Sequence, residues 1–153
     1  MKQLQNLSKF LLEVLEVKRE QLECFADRGD LILTGKDLGN CVELGRLKYD
    51  AVFWIEKFHG DANLLLAHVM AWLSENDLER HDLNLPDPEV DISLNNRNTA
   101  NVEIAISFEE PLLIVLDEEG PIFWNGKKWS VSELKVDVAE ELVDMDGKSN
   151  EED

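Results

Sequence analysis

Apolar residues recur at helical spacing from the start of the chain: Leu4, Leu7, Leu11, Val14, Leu15, Leu22 and Phe25, with Glu13, Lys18, Arg19 and Glu23 on the other faces. This pattern predicts an amphipathic helix. It is expected to stop near Arg28-Gly29, where glycine readily takes the left-handed C-terminal conformation. A short apolar run, Leu31-Ile32-Leu33, comes next and is bounded by Gly35; it reads as a strand. Leu47 to Phe58 reads as a long strand. Tyr49, Ala51, Phe53 and Ile55 fall on one face, and Val52, Trp54 and Phe58 on the other. Apolar residues on both faces predict a strand covered on two sides over part of its length.

Gly60-Asp61 then opens a run without helix breakers, and Asp61 is placed to cap the first free amides. Leu65, His68, Val69, Trp72 and Leu73 share one stripe of this second helix, and Pro86 and Pro88 mark a loop after it. From there the period changes to two. Val90, Ile92 and Leu94 alternate with Asp91, Ser93 and Asn95; Val102, Ile104, Ile106 and Phe108 alternate with Glu103, Ala105 and Ser107. With Asn96-Arg97-Asn98-Thr99 between them, the two runs predict a β-hairpin. Pro111 is expected to interrupt before a further apolar run, Leu112 to Leu116. Asn125-Gly126, between Ile122-Phe123-Trp124 and Trp129, predicts a second hairpin, because both turn positions accept positive φ. The order of elements predicts an α+β domain, a mainly antiparallel sheet with two principal helices packed on one face.

Charge changes this picture at the C-terminus. The 153 residues hold 33 Asp plus Glu against 15 Lys plus Arg, a formal net charge of −18. From Val136 to Asp153 eight residues are acidic and only Lys148 is basic, so this stretch carries seven of the eighteen net negatives. The expected organisation is a single domain over residues 1–135 and an acidic, disordered tail over 136–153. That tail serves either as solvated chain or as a docking or solubilising segment. So acidic a protein is repelled by DNA and by anionic membrane surfaces, which argues against direct binding to either. The longest apolar run, Leu64 to Leu73, is interrupted by His68 and is too short to span a bilayer. The N-terminus lacks the layout of a signal peptide, so a cytoplasmic protein is expected. Cys24 and Cys41 then read as two free thiols.

No catalytic pattern accompanies the carboxylates. There is no phosphate-cradling glycine loop, no Gly-x-Ser-x-Gly elbow and no His-Glu-x-x-His. His59, His68 and His81 are scattered; His68, on an apolar stripe, reads as a packed residue rather than a ligand. Asp144, Asp146, Gly147 and Glu151 have the wrong order for a calcium loop. Glu109-Glu110 and Glu118-Glu119 are the surface background of an acidic chain. No cofactor or metal is expected. Four tryptophans are many for this length. Trp72 reads as core; Trp124 and Trp129 either pair across the Asn-Gly hairpin or form an exposed anchor, and pairing is favoured.

The string Leu47-Lys48-Tyr49-Asp50-Ala51-Val52-Phe53-Trp54-Ile55-Glu56-Lys57-Phe58-His59-Gly60-Asp61 resembles the central signature of the GpR-like tail completion proteins of temperate contractile-tailed phages. Leu64-Leu65-Leu66 and Ala71-Trp72-Leu73-Ser74-Glu75-Asn76 are similar to the helix next in order in that family. Asp91 to Asn96 leading into Val102 to Ser107 resembles the family's later strand pair, and Cys24 to Gly29 its early phenylalanine, aspartate and glycine. The resemblance spans about residues 4–134. The chain departs from the family at His68 and at Asn76-Asp77-Leu78, where members often carry proline.

The resemblance implies a tail-terminator-like fold and a structural, non-enzymatic role. It implies a ring, hexameric to match tail symmetry, that meets tail tube, sheath and head connector proteins. It also implies assembly in the host cytoplasm and residence in the virion tail. On that reading the expected contact residues are Asn96, Arg97 and Asn98, then Trp124, Asn125, Gly126 and Trp129, with Phe53 and Trp54 on the long strand. Two other readings stand beside it. One is an acidic interaction module such as a DNA-mimicking inhibitor, motivated by charge alone; the other is a small enzyme using a carboxylate pair.

Overall fold

The structure is a computed structural model and describes residues 1–132; the expected acidic tail at 136–153 lies outside the described residues. The chain begins with α1 (Lys2–Val14) and a single 3-10 turn (Arg19–Gln21). The long strands β1 (Leu22–Asp37) and β2 (Val42–Phe58) come next, then α2 (Ala62–Asn76). The remainder is β3 (Glu89–Leu94), β4 (Ala100–Leu116), β5 (Ile122–Trp124) and β6 (Lys127–Val131). All six strands form one sheet in the order β1-β2-β4-β6-β5, with β3 also paired to β4. Every pairing is antiparallel. The α+β class predicted from the sequence is the fold observed.

The first helix is shorter than its spacing predicts. It ends at Val14, with Leu15 already extended, and Leu22 to Arg28 belong to β1 rather than to the helix. Leu22 and Cys24 sit opposite Ile55 and Phe53 of β2. Every second residue there meets the apolar face of a neighbouring strand, so period-two pairing prevails over helical spacing. Leu31-Ile32-Leu33 is the far half of the same strand.

On β2, Tyr49, Ala51, Phe53 and Ile55 point into the main core with Val102, Ile104, Ile106 and Phe108 of β4. Alternation predicts Phe58 on the opposite face. A shift of register after Ile55, with Lys57 at φ 54, turns it back into this core. Leu7 and Leu11 of α1 and Leu65, Val69, Trp72 and Leu73 of α2 cover the same side. Asp61 caps α2 as predicted, its Oδ1 accepting from the Asn63 amide at 2.9 Å.

Pro111 does not break β4. It lies opposite Arg46 of β2, between the residues that pair with β3 and those that pair with β6. There β4 has a strand on one side only, so a missing amide is tolerated. Arg80 closes part of that gap: its guanidinium donates to the Ser107 carbonyl at 3.3 Å and the Pro86 carbonyl at 2.8 Å, and pairs with Asp77 at 2.6 Å.

The strands outrun the helices. β2 and β4 have 17 residues each, roughly 55 Å of extended chain. The helices have 13 and 15 residues, roughly 20 Å each. One end of the sheet is therefore left without a helix. A small second core, Val42, Ile114 and Trp129 with Leu44, Ile122 and Trp124 packed on it, holds that end together.

Candidate interaction surface

The sequence-predicted contact residues do not form one surface. Phe53 is 0 % exposed and belongs to the core; it is a packing residue, not a contact residue. Trp54 is half-buried on the opposite sheet face, between Glu23 of β1 and Glu103 of β4.

The β3–β4 turn is exposed and internally braced. Asn96 Oδ1 accepts from the amides of Asn98 at 2.8 Å and Thr99 at 3.0 Å. This asparagine-closed turn holds Arg97 at its tip. The second turn is built as predicted, with Asn125 at φ 52 and Gly126 at φ 74. Trp124 and Trp129 meet edge to face with centroids 5.4 Å apart, and Trp129 Nε1 donates to the Trp124 carbonyl at 2.8 Å. The two indoles are mutual packing partners, and Trp129 is buried. One turn precedes Ala100 and the other lies beyond Leu116. They sit at opposite ends of β4 and cannot bind one small epitope together.

Other surface features were not singled out from the sequence. β1 is an outer strand with one partner, β2. Irregularities at Arg28 and Gly35, both at positive φ, bracket an exposed apolar segment in which Leu31 is 76 % and Leu33 91 % exposed. β3, like β5, is a further strand with one partner; it lies beside β4, and Val90, Ile92 and Leu94 on it are exposed. Between α2 and β3 lies a groove of about 680 Å³ lined by Leu66, Met70, Leu78, His81, Pro88 and Val90 among others. Alternation on β3 and the Leu31-Ile32-Leu33 run were visible signals; their lack of a cover was not.

A few charged groups serve as internal ties. Arg46 Nε donates to Glu109 at 2.7 Å and its Nη1 to Glu43 at 3.0 Å. Burial opposes the guanidinium charge, but the bonds to Glu109 and Glu43 outweigh it, so Arg46 holds its proton more tightly than an ordinary arginine. Glu110 reaches from β4 to the start of α1. Its carboxylate accepts from the Lys2 amide at 2.8 Å and the Gln3 amide at 3.0 Å, and from the Tyr49 hydroxyl. A carboxylate at a helix N-terminus satisfies free amides and complements the helix dipole.

Cys24 is half-buried, and burial raises its thiol above the usual range. Among the described residues no three His, Cys, Asp or Glu side chains converge as metal ligands. There too, no helix is long and apolar enough to cross a membrane. His68 packs edge to face on Phe10 at 6.0 Å.

The chain is 29 % identical over 143 residues, 90 % of its length and 86 % of the relative's, to an uncharacterized 19.2 kDa protein of the rep-hol intergenic region of Haemophilus phage HP1. No solved structure matches it. The model of the P2 phage tail completion protein R matches residues 1–133, which is all of the fold described above; the chain belongs to this family of structural phage tail completion proteins.

Proposed function

We propose that the chain ends a contractile tail by forming a ring, hexameric to match the tail, on its head-proximal end. Such a ring covers the last contact edges of tube and sheath and offers a different surface to the head connector proteins. Membership of the tail completion family over residues 1–133 is the observation that carries this reading. Two features of the fold support it. A closed ring needs two unlike patches on each copy, and β1 and β3 offer two unlike free edges. A net charge of −18 also lets DNA pass a ring without adhering to it. Assembly then takes place in the host cytoplasm and the product stays in the virion tail.

Deleting the gene tests the role. The expected result is filled heads beside unjoined or abnormal tails, restored by the gene in trans. Normal infectious particles after deletion would overturn the reading.

A further inference from the structure

We infer that copies of this chain join edge to edge. Gly29–Leu33 of β1 in one copy pairs with the outer edge of β3 in the next, and Leu31 and Leu33 fill the groove beside α2. This rests on the ring reading and names the surfaces that would make the ring.

Strand direction allows the pairing. β1 and β4 run one way and β2 and β3 the other. Within one copy β3 is level with Leu22 and Cys24 of β1. A second copy in the same orientation, slid along the strands by the distance from Leu22 to Leu31, brings its β3 against Gly29–Leu33 in antiparallel sense. The faces agree as well. Leu31 lies opposite Leu47 and Leu33 opposite Gly45 on β2, the side that carries Tyr49 and the helices. Val90 and Ile92 lie opposite Ile104 and Val102, on that same side. Residues directly opposite across an antiparallel ladder share a face. The incoming leucines therefore emerge on the side where the groove of Leu66, Met70, Leu78 and Val90 opens.

Charge favours the alignments that bring Lys36 to the acidic start of β3. With Leu31 opposite Ile92 and Leu33 opposite Val90, the end of β1 that carries Lys36 meets the end of β3 that carries Asp87 and Glu89. In a chain with 33 acidic side chains against 15 basic ones, a lysine placed at that end is a favourable choice for a self-interface. The irregularities at Arg28 and Gly35 limit the pairing to a short segment. Bulges and charges commonly protect an edge strand from open-ended stacking, and here they leave one gap, about as long as the six residues of β3.

The test uses the full chain in sedimentation equilibrium over a wide range of concentration. Leu33→Asp removes the inserting edge and Met70→Asp the receiving groove. Both side chains are exposed in the single copy, so each variant should keep the unfolding midpoint of the parent. The parent is expected to associate beyond a dimer at high concentration, and each variant alone to associate at least tenfold more weakly. An equal mixture of the two variants retains one intact interface and should stop at a heterodimer. A parent that stays monomeric at every concentration, variants that associate as the parent does, or a mixture that forms no dimer would each overturn the inference. The deletion experiment is independent of these outcomes. Tails that fail without the gene, together with normally associating Leu33→Asp protein, would remove this edge and leave the tail role standing.

Discussion

Tyr49 and Glu110 show how single side chains fasten the helical layer to the sheet. The Tyr49 hydroxyl donates to Glu110 and accepts from the Leu4 amide at 3.3 Å. Burial, and then the adjacent Glu110 carboxylate, drive the phenol above its ordinary range. Tyr49 is the only tyrosine in the chain, so its ionisation can be followed by ultraviolet absorbance. A raised native pKa contributes stability that is complete below the unfolded value of about 10 and is lost as pH rises above it. Native protein should therefore show no phenolate above pH 10 until it unfolds; an early, reversible titration would contradict this. Tyr49→Phe should cost about 1–2 kcal/mol in urea unfolding near neutral pH. Arg46→Met should cost about 3 kcal/mol in the same measurement, because it takes from Glu43 and Glu109, with 6 % and 11 % exposed side chains, the guanidinium they share. The inward direction of Tyr49 was legible from alternation along its strand. Its bond to a residue 61 positions away was not, because spacing within an element says nothing about what a distant strand brings opposite.

Among elements, those whose signal is local were read correctly. The Asp61 cap, the Asn125-Gly126 turn and the alternating runs of β3 and β4 each depend on neighbours in sequence, and all formed as expected. The misread boundaries depend on distant partners. Leu15 to Phe25 continues a helical spacing, yet β2 offers Leu22 and Cys24 a better apolar face. Pro111 looks like a break until the missing partner strand on one side of β4 is known. Gly45 is a further case of distant control. A Cβ there would stand 2.4 Å from the Ile32 carbonyl oxygen of β1, so strand backbone, not a flexible side chain, would have to yield. Gly45→Ala should lower stability by about 1–3 kcal/mol, read as a lower midpoint of thermal unfolding. An unchanged midpoint would mean that β1 is less firmly held than its register implies. The sites proposed from turns were legible as turns. Their distance from one another was not, since it depends on the length of β4.

For the whole molecule, charge and shape act against each other. Copies that carry a net charge of −18 repel, while the apolar β1 segment and the α2–β3 groove attract. Added salt screens the first and leaves the second largely untouched. Self-association should therefore tighten as ionic strength rises from low to physiological values, measured by sedimentation. Weakening over that range would point to an interface made chiefly of ion pairs.

The carboxylate that holds the first helix has a consequence for synthesis. Lys2 receives its partner from Glu110, 108 residues later, and Leu7 and Leu11 bury themselves against strands that end with β4. The start of α1 is thus tied to a residue far downstream in the sequence. Until Glu110 has been made, the amides of Lys2 and Gln3 lack that acceptor, although β2 and α2 are already there to cover Leu7 and Leu11. Pulsed hydrogen exchange during refolding should find the leading amides of α1, those of Lys2 and Gln3, protected no earlier than those of β4.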